Sequence, residues 1–341
     1  MPSFRKTETV TKASYQKGMV VIMYYLGIDL GGTNIAVGLV SETGQILARK
    51  SVPTRAERAA VEIAATMAET AKTLLREAGV EESELISVGI GSPGAVDSEA
   101  GVIVSACNLH FSNTPLREMM AQYFTCPVYV ENDANCAAWA EAVAGAARGT
   151  RDSLMITLGT GVGGGIVIGG RLYGGMNNYG GEFGHMIIAD GGELCACGRR
   201  GCVEAYSSAT ALIRDTKRAA EAHPKSILGV IAAREGGYSG KTVFAAAEQG
   251  DAAAQEVLDG YVRHLAIAAI NLIRIFQPEV LVVGGGVARA GEALLSPLRD
   301  RVSDIYGSYV TEEKRTKIKE AALGNDAGIV GAALLGKGVE K

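Results

Sequence analysis

His185, Cys195, Cys197 and Cys202 fall within eighteen residues of a 341-residue chain, with Gly198 and Gly201 between the last two cysteines. Thiolate and imidazole are the ligands that zinc takes in a closed tetrahedron, and three Cys with one His is a common structural set. The two glycines would let the backbone fold tightly enough for Cys197 and Cys202 to face one ion. The rival reading is of buried, inert thiols. It suits Cys107, Cys126 and Cys136, which are scattered singly, better than the dense run Cys-Ala-Cys-Gly-Arg-Arg-Gly-Cys. A disulfide framework is not expected in a chain of this size read as cytoplasmic, where clustered cysteines bind metal. His185 is either the fourth ligand or a core histidine; Gly184 and Glu182 beside it favour an exposed loop and a ligand. Glu182 and Glu204 flank the cluster, so a metal staple here would fix acidic side chains at both of its ends.

Glycine-rich turns are the second chemical signal. Gly159-Thr160-Gly161-Val162-Gly163-Gly164 satisfies the dinucleotide fingerprint, but the apolar Ile166–Ile168 continues as a strand where the fingerprint needs a helix. Gly89–Gly94 fails in the same way. Glu235–Thr242 lacks the first glycine of a phosphate loop, and Thr242 reads more simply as a helix N-cap. A different phosphate site fits better. The hairpin turn with Gly31, Gly32, Thr33 and Asn34 offers backbone N–H groups and a hydroxyl, and Gly159–Gly163 offers the same from a second place. Asp29, just before the first turn, could hold Mg²⁺ directly or through water. Asp133 follows an apolar strand and opens a helix. It is either a simple N-cap or a carboxylate held ionised at a helix N-terminus to accept a proton.

The elements that must position these groups follow from hydrophobic periodicity. Strands are expected at Val20–Ile28, Ile35–Val40, Gln45–Ser51, Ser87–Ile90 and Pro127–Val130. An amphipathic helix over 56–78, with Val61, Ala64, Met67, Ala71, Leu74 and Leu75 on one face, stops at Gly79. Asn132-Asp133 opens a helix over Ala134–Ala144. Strand, glycine turn and strand then recur at Ser153–Leu158, Gly159–Gly163 and Gly165–Ile168, followed by Arg171–Tyr173. This duplication half a chain apart implies two domains of similar topology facing each other. A helix over Ala252–Phe276 ends before Pro278. Glu279–Val283 is a strand into Gly284-Gly285-Gly286, and Asp326 caps a final helix ending near Gly336. Alternating strands and helices make an α/β protein.

Bulk properties bound the function. The net charge of −4 and pI near 5.7 give no footprint for nucleic acid or an anionic membrane. No apolar run reaches the ~20 residues of a membrane helix. Residues 1–23 are expected to be a loose tail; the first 20 lack the apolar centre of a signal peptide, and Met19 and Met23 stand as alternative starts.

Asp29-Leu-Gly-Gly-Thr-Asn34, Glu131-Asn-Asp-Ala-Asn135, Leu158-Gly-Thr-Gly-Val-Gly163, Glu182-Phe-Gly-His185 and Gly201-Cys-Val-Glu204 together resemble the ROK family of bacterial repressors, open-reading-frame proteins and sugar kinases. The motifs occur in family order over roughly residues 24–337, and Cys195–Thr210 looks most like the glucokinase branch. The resemblance implies the two-lobed actin–hexokinase–Hsp70-like (ribonuclease H-like) fold with a duplicated βββαβαβα core. A small lobe would comprise 24–134 with 323–341, and a large lobe 135–322. ATP with Mg²⁺, and a sugar, would occupy the cleft. Asp133 matches the general base. Gly94, Asn108, Asn132, Asp133, Glu182, His185 and Glu204 match the sugar side. Asp29, Gly31, Gly32, Thr33, Asn34, Gly159, Thr160, Gly161, Gly163 and Gly284–Gly286 match the nucleotide side. His185 would then serve zinc with one ring nitrogen and the sugar with the other. The chain departs from the family at Asn108-Leu-His-Phe-Ser112, where many members carry a loop close to Asn-Leu-Pro-Gly-Trp, and this bears on sugar preference.

The function implied is ATP-dependent phosphorylation of the glucose 6-hydroxyl in the cytoplasm by a homodimer or homotetramer. The alternatives are a kinase for N-acetylmannosamine, N-acetylglucosamine or fructose, and a sugar-responsive repressor. The residues ahead of the first strand carry no helical periodicity or basic stripe to read DNA.

Overall fold

The structure is a computed structural model describing residues 15–16, 19–20, 23–306 and 310–337. Of the expected tail, Tyr15–Gln16 and Met19–Val20 pair as two-residue antiparallel strands; the rest of that expectation lies outside the described residues.

The first half comprises β1 (Tyr24–Leu30), β2 (Asn34–Ser41), β3 (Ile46–Pro53), α1 (Ala60–Ala78) and β4 (Leu85–Ser92). A small ribbon follows, β5 (Ala95–Asp97), β6 (Val102–Ala106) and β7 (Phe111–Thr114), then α2 (Leu116–Ala121), β8 (Val128–Asn132) and α3 (Asp133–Val143). The second half comprises β9 (Ser153–Leu158), β10 (Val162–Ile168), β11 (Arg171–Leu172), α4 (Glu204–Ser207), α5 (Ala209–Ala222), α6 (Leu228–Glu235) and α7 (Thr242–Glu248). It ends with α8 (Ala252–Phe276), β12 (Val280–Gly284), α9 (Glu292–Ser303), β13 (Lys317–Glu320) and α10 (Ala327–Ala333).

The expected duplication is present in the sheets. One has the order β3-β2-β1-β4-β8 and the other β11-β10-β9-β12-β13. In each, the first three strands form an antiparallel meander and the last two add in parallel to its first strand. In register, Asp29 of β1 faces Gly91 of β4, and Gly91 faces Glu131 of β8, so three neighbouring strands deliver their carboxyl ends to one edge.

Boundaries differ where tertiary packing decides. The first strand starts at Tyr24 rather than Val20. In α1, Ile63 joins the buried face, whereas Val61, at the first turn, stands in solvent. The helix does stop at Gly79, with φ of +68°. The α8 bounds are those expected, with the Asp251 side chain accepting from the Ala254 N–H at 2.9 Å. Asp326 occupies the N-cap position of α10 but its carboxylate pairs with Arg49 at 3.3 Å and caps nothing. Lys241, not Thr242, is the cap residue of α7.

Between the sheets lie α3 and α10, side by side. The first packs on β9 and β10, the second on β1, β2 and β4. Trp139, Ala140, Ile329, Val330, Ala333 and Leu334 form their shared core, and the Trp139 indole N–H donates to the Leu334 carbonyl at 2.8 Å. Backbones meet here almost directly. A Cβ on Gly331 would stand 1.7 Å from the Cys136 carbonyl oxygen, and one on Gly89 1.7 Å from that of Ala332. Separate cores flank this pair, one around α1 and β1–β4, the other around α8 and β9–β12. Among the described residues no helix is long and apolar enough to cross a membrane.

Gly331→Ala therefore must push α10 off α3. We expect a loss of at least ~2 kcal/mol, as for overpacked cores, measured as a lower unfolding midpoint. The same change at the open Gly240 should have little effect.

Candidate active site

The carboxyl ends of both sheets open on one cavity of about 940 Å³. From the first sheet's strands and the segments that directly follow them come Asp29, Gly94, Asn132 and Asp133; from the same places in the second come Gly159, Gly161, Gly163 and Gly285; the loop after β11 adds Glu182 and His185, and α4 adds Glu204. Thus the structure brings together eleven residues that the sequence singled out from seven separate segments.

Asn132, not Asp133, caps α3. Its side-chain oxygen accepts from the Ala134 and Asn135 N–H groups at 2.9 and 3.2 Å, and its amide donates to the Gly94 carbonyl at 3.0 Å. Asp133 is therefore not the N-cap but the first residue of the helix. One of its oxygens accepts from the Ala134 N–H at 2.8 Å. Burial raises the Asp133 carboxyl above the usual aspartate range, against the pull of the Ala134 N–H, and nearby Glu182 adds to the rise. Asp29 is pushed up to about 6, chiefly by burial and then by repulsion from Asp133. Two buried carboxylates, Asp29 raised by burial and by Asp133 and Asp133 raised by burial and by Glu182, are a chemically suitable pair for a cation and a proton. Gly328 admits α10 to this corner, since a Cβ there would lie 2.6 Å from an Asp29 carboxylate oxygen.

The Gly159–Gly163 turn joins β9 to β10 with no helix after it, as its context required. The Val162 N–H donates to Glu204 at 3.0 Å, and a Cβ on Gly161 would stand 2.3 Å from the same carboxylate. Gly31, Gly32, Thr33, Asn34, Asn108, Thr160, Gly284 and Gly286 do not line the cavity. Gly32 packs beside Asn108, whose Cβ would lie 3.3 Å from one built on the glycine, and Thr160 spends its carbonyl on the Thr210 hydroxyl at 2.7 Å.

The Cys/His cluster forms one end of the site. The Sγ and ring nitrogen atoms of His185, Cys195, Cys197 and Cys202 all lie within 4.8 Å of one another. Cys197 and Cys202 are 3.7 Å apart, as are Cys195 and His185 Nδ1. Zn–S bonds of about 2.3 Å give tetrahedral edges near 3.8 Å, so the donor set fits that ion. Gly198 and Gly201 have φ of +84° and +83°, and a Cβ on Gly201 would strike the Ala189 carbonyl at 1.7 Å. Burial pushes the Cys195 thiol up to about 12, while the Arg199 backbone N–H lowers that of Cys197. With Nδ1 toward the sulfurs, His185 turns Nε2 to Glu182, 3.9 Å away. Glu204 sits between the cluster and the glycine turn, 3.6 Å from Cys195 Sγ.

Sequence reasoning missed part of the lining. Asn178, Tyr179, Gly180 and Gly181 face the cavity from the loop before Glu182, as do Thr157 and Asn325. The glycine pairs at 174–175 and 180–181 around Asn177-Asn178 were the available signal; Asn178 itself has φ of +60°.

The ROK family model matches residues 25–339. The chain belongs to the ROK family. A glucokinase of Thermotoga maritima is 40% identical to this ROK protein over 310 residues, covering 90% of this chain and 95% of the relative. One of Halalkalibacterium halodurans is 36% identical over 315 residues, covering 92% and 95%. A ROK glucokinase of Streptomyces griseus, solved with glucose and AMPPNP, superposes with a TM-score of 0.75 at 37% identity, covering 92% of this chain and 98% of that one. The paired sheets are the actin–hexokinase-like fold of these ROK structures.

Asp29 supplies a test of the site's electrostatics. Its folded-state value lies above that of an exposed aspartate, so the ligand-free fold is favoured by Asp29 protonation at low pH and loses that advantage as pH rises from about 4 through about 6. Asp29→Asn removes the penalty. At pH 7.5, without Mg²⁺ or nucleotide, it should stabilise the protein by about 1–3 kcal/mol, allowing for partial exposure. Denaturant midpoints should converge with wild type near pH 4.

Proposed function

We propose that the chain is an ATP-dependent hexose kinase that phosphorylates the 6-hydroxyl of glucose, with Asp133 as general base. The carrying observation is Asp133 itself: a raised carboxylate at the cavity, relieved of capping by Asn132 and faced by Glu182, His185 and Glu204. The names of the relatives support glucose over other hexoses. The two sheets then serve as lobes, 24–134 with 323–341 and 135–322, with the nucleotide against Gly159–Gly163 and Gly285 and the sugar between Gly94 and Glu204. Asn108 and the Gly31–Asn34 turn would reach substrate only if the lobes close further. Among other hexose kinases of the family, those for N-acetylmannosamine, N-acetylglucosamine and fructose are the alternatives.

Phosphoryl transfer asks the protein for position and charge control more than covalent chemistry. Asp133 accepts the proton of the attacking hydroxyl. Its raised value brings it closer to the range where a base works well. Glu182, His185 and Glu204 accept or donate to the remaining sugar hydroxyls and fix which oxygen faces Asp133. Asp29 would hold Mg²⁺, which, bound with nucleotide, would neutralise phosphate charge. A structural zinc on His185, Cys195, Cys197 and Cys202 would fix the tautomer of His185 and the aim of both glutamates. The fit leaves no open coordination position for chemistry.

A hexose panel with ATP and Mg²⁺, read as nucleotide release, tests the reading. Turnover should be highest in kcat/KM with glucose; no turnover with any hexose would sink the kinase proposal. Asp133→Asn should cut kcat by about 10²–10⁴-fold, the worth of a positioned base, with glucose KM little changed. Below neutrality kcat/KM should fall through a pKa above the ordinary aspartate range.

Metal analysis of protein purified without chelator should find one zinc per chain. Cys195→Ala should lose it, raise the glucose KM more than the ATP KM, and lower stability, because metal binding couples to folding. An active enzyme free of zinc would refute this role for the cluster.

A further inference from the structure

Two chain segments pass between the sheets: residues 144–152 link α3 to β9, and residues 321–326 link β13 to α10. Both are tied to one side chain. Glu141, in the last turns of α3, is fully buried. Its Oε2 accepts from the Ala146 N–H at 2.7 Å in the first crossing and from the Ala322 N–H at 3.0 Å in the second; its Oε1 accepts from the Leu323 N–H at 2.8 Å. Gly145 leaves room for this, as a Cβ there would stand 2.1 Å from Oε2. The Lys319 ammonium joins the same knot by donating to the Ala146 carbonyl at 2.8 Å.

A buried carboxylate is costly unless its oxygens are satisfied, and backbone N–H groups are strong partners for it. Here the partners belong to the two segments that connect the halves of the molecule. The tie also joins two parts of the active site. Asp133 stands at the other end of α3, eight residues or about 12 Å along the helix axis. The second crossing runs on into Gly324, Asn325, Ala327 and Gly328, which line the same cavity, with Gly328 against the Asp29 carboxylate.

We propose that Glu141 is a positioning residue for phosphoryl transfer: it holds the helix bearing Asp133 in register with the 321–328 wall, so that Asp133 and the Asp29 corner beside Gly328 stay aligned when both substrates are bound. This rests on the kinase reading above. Glu141 touches no substrate, so its loss should misalign bound substrates without weakening their separate binding. A displacement near 1 Å can cost about 100-fold in rate.

The test uses Glu141→Gln in the full chain, which keeps the size and replaces one accepting oxygen by a donor. In folded variant, kcat for hexose phosphorylation should fall at least about tenfold. KM for sugar and for ATP should stay within about threefold, and the acid limb of the pH profile should not move, since Asp133 is intact. A folded variant with wild-type kcat, or one changed in KM alone, overturns the proposal and leaves Glu141 a purely structural residue. Hydrogen exchange supplies a second readout independent of turnover. In the wild-type protein without ligands, the amides of 146, 322 and 323 should be protected together, to the level of α3; exchange at the rate of open loops overturns the tie. That measurement decides the tie if Glu141→Gln does not fold, and Gly145→Ala, which crowds Oε2, should then reproduce the selective loss of kcat, its wild-type kcat counting against the proposal. Absence of turnover in the wild-type enzyme would instead strike the kinase reading and leave the exchange result standing.

Discussion

The structure depends on how closely α10 approaches α3 and the first sheet. Glycines at 27, 89 and 331 remove the side chains that would keep the backbones apart. This contact sets the distance between the two sheets, and thereby the width of the cavity at their carboxyl ends. It tolerates no added methyl at its tightest points, because the atoms opposite are backbone oxygens that cannot rotate away. Gly328 extends the same economy to the site itself by letting α10 pass the Asp29 carboxylate.

Charge is managed in two ways around that contact. On the cavity side, carboxylates are gathered with few cationic partners. Burial and repulsion from Asp133 raise Asp29, and burial with repulsion from Glu182 raises Asp133, which is the charge pattern that the proposed cation and proton roles need. Behind it, Glu131 and Glu141 are buried too, but their oxygens are spent on N–H groups. Glu131 accepts from the Asn132 N–H at 2.8 Å and the Asn135 amide at 3.0 Å, while Glu141 accepts from both crossings.

The Cys/His cluster belongs to the same scheme at the far end of the site. It is a loop with little core of its own: two isolated bridges pair 187 with 202 and 194 with 200, and Ile187 and Leu194 are exposed. A loop so placed cannot aim side chains by packing alone. On the proposed reading, a zinc ion on the four convergent donor atoms would give it another means, and Glu204, in contact with both Cys195 and the 161–162 turn, would carry the result into the cavity.

Much of this was legible in residue order. Period-two and period-3.6 patterns yield most strands and the helices α1, α3 and α8, since apolar spacing follows from which face is buried; α5 and α9 were not among the expected elements. The repeated strand–turn–strand implied the duplicated sheets, and the Cys/His spacing and Gly198 and Gly201 implied the cluster, because these are local properties of a chain. Other features were decided only by tertiary contact. Whether Asn132 or Asp133 capped α3 depended on the Gly94 carbonyl, thirty-eight residues away, which holds the Asn132 amide. Asp326 lost its capping role to Arg49, and Val61 lost its place on the buried face to Ile63. Glu141 gave no signal at all in the sequence, where it is one acidic residue in an alanine-rich helix; its meaning arises when a segment some 180 residues later brings two N–H groups to it. Local patterning determined which elements form and which residues could do chemistry. The long-range placement of backbone donors, which no spacing encodes, decided which of those residues cap, which hold and which face the cavity.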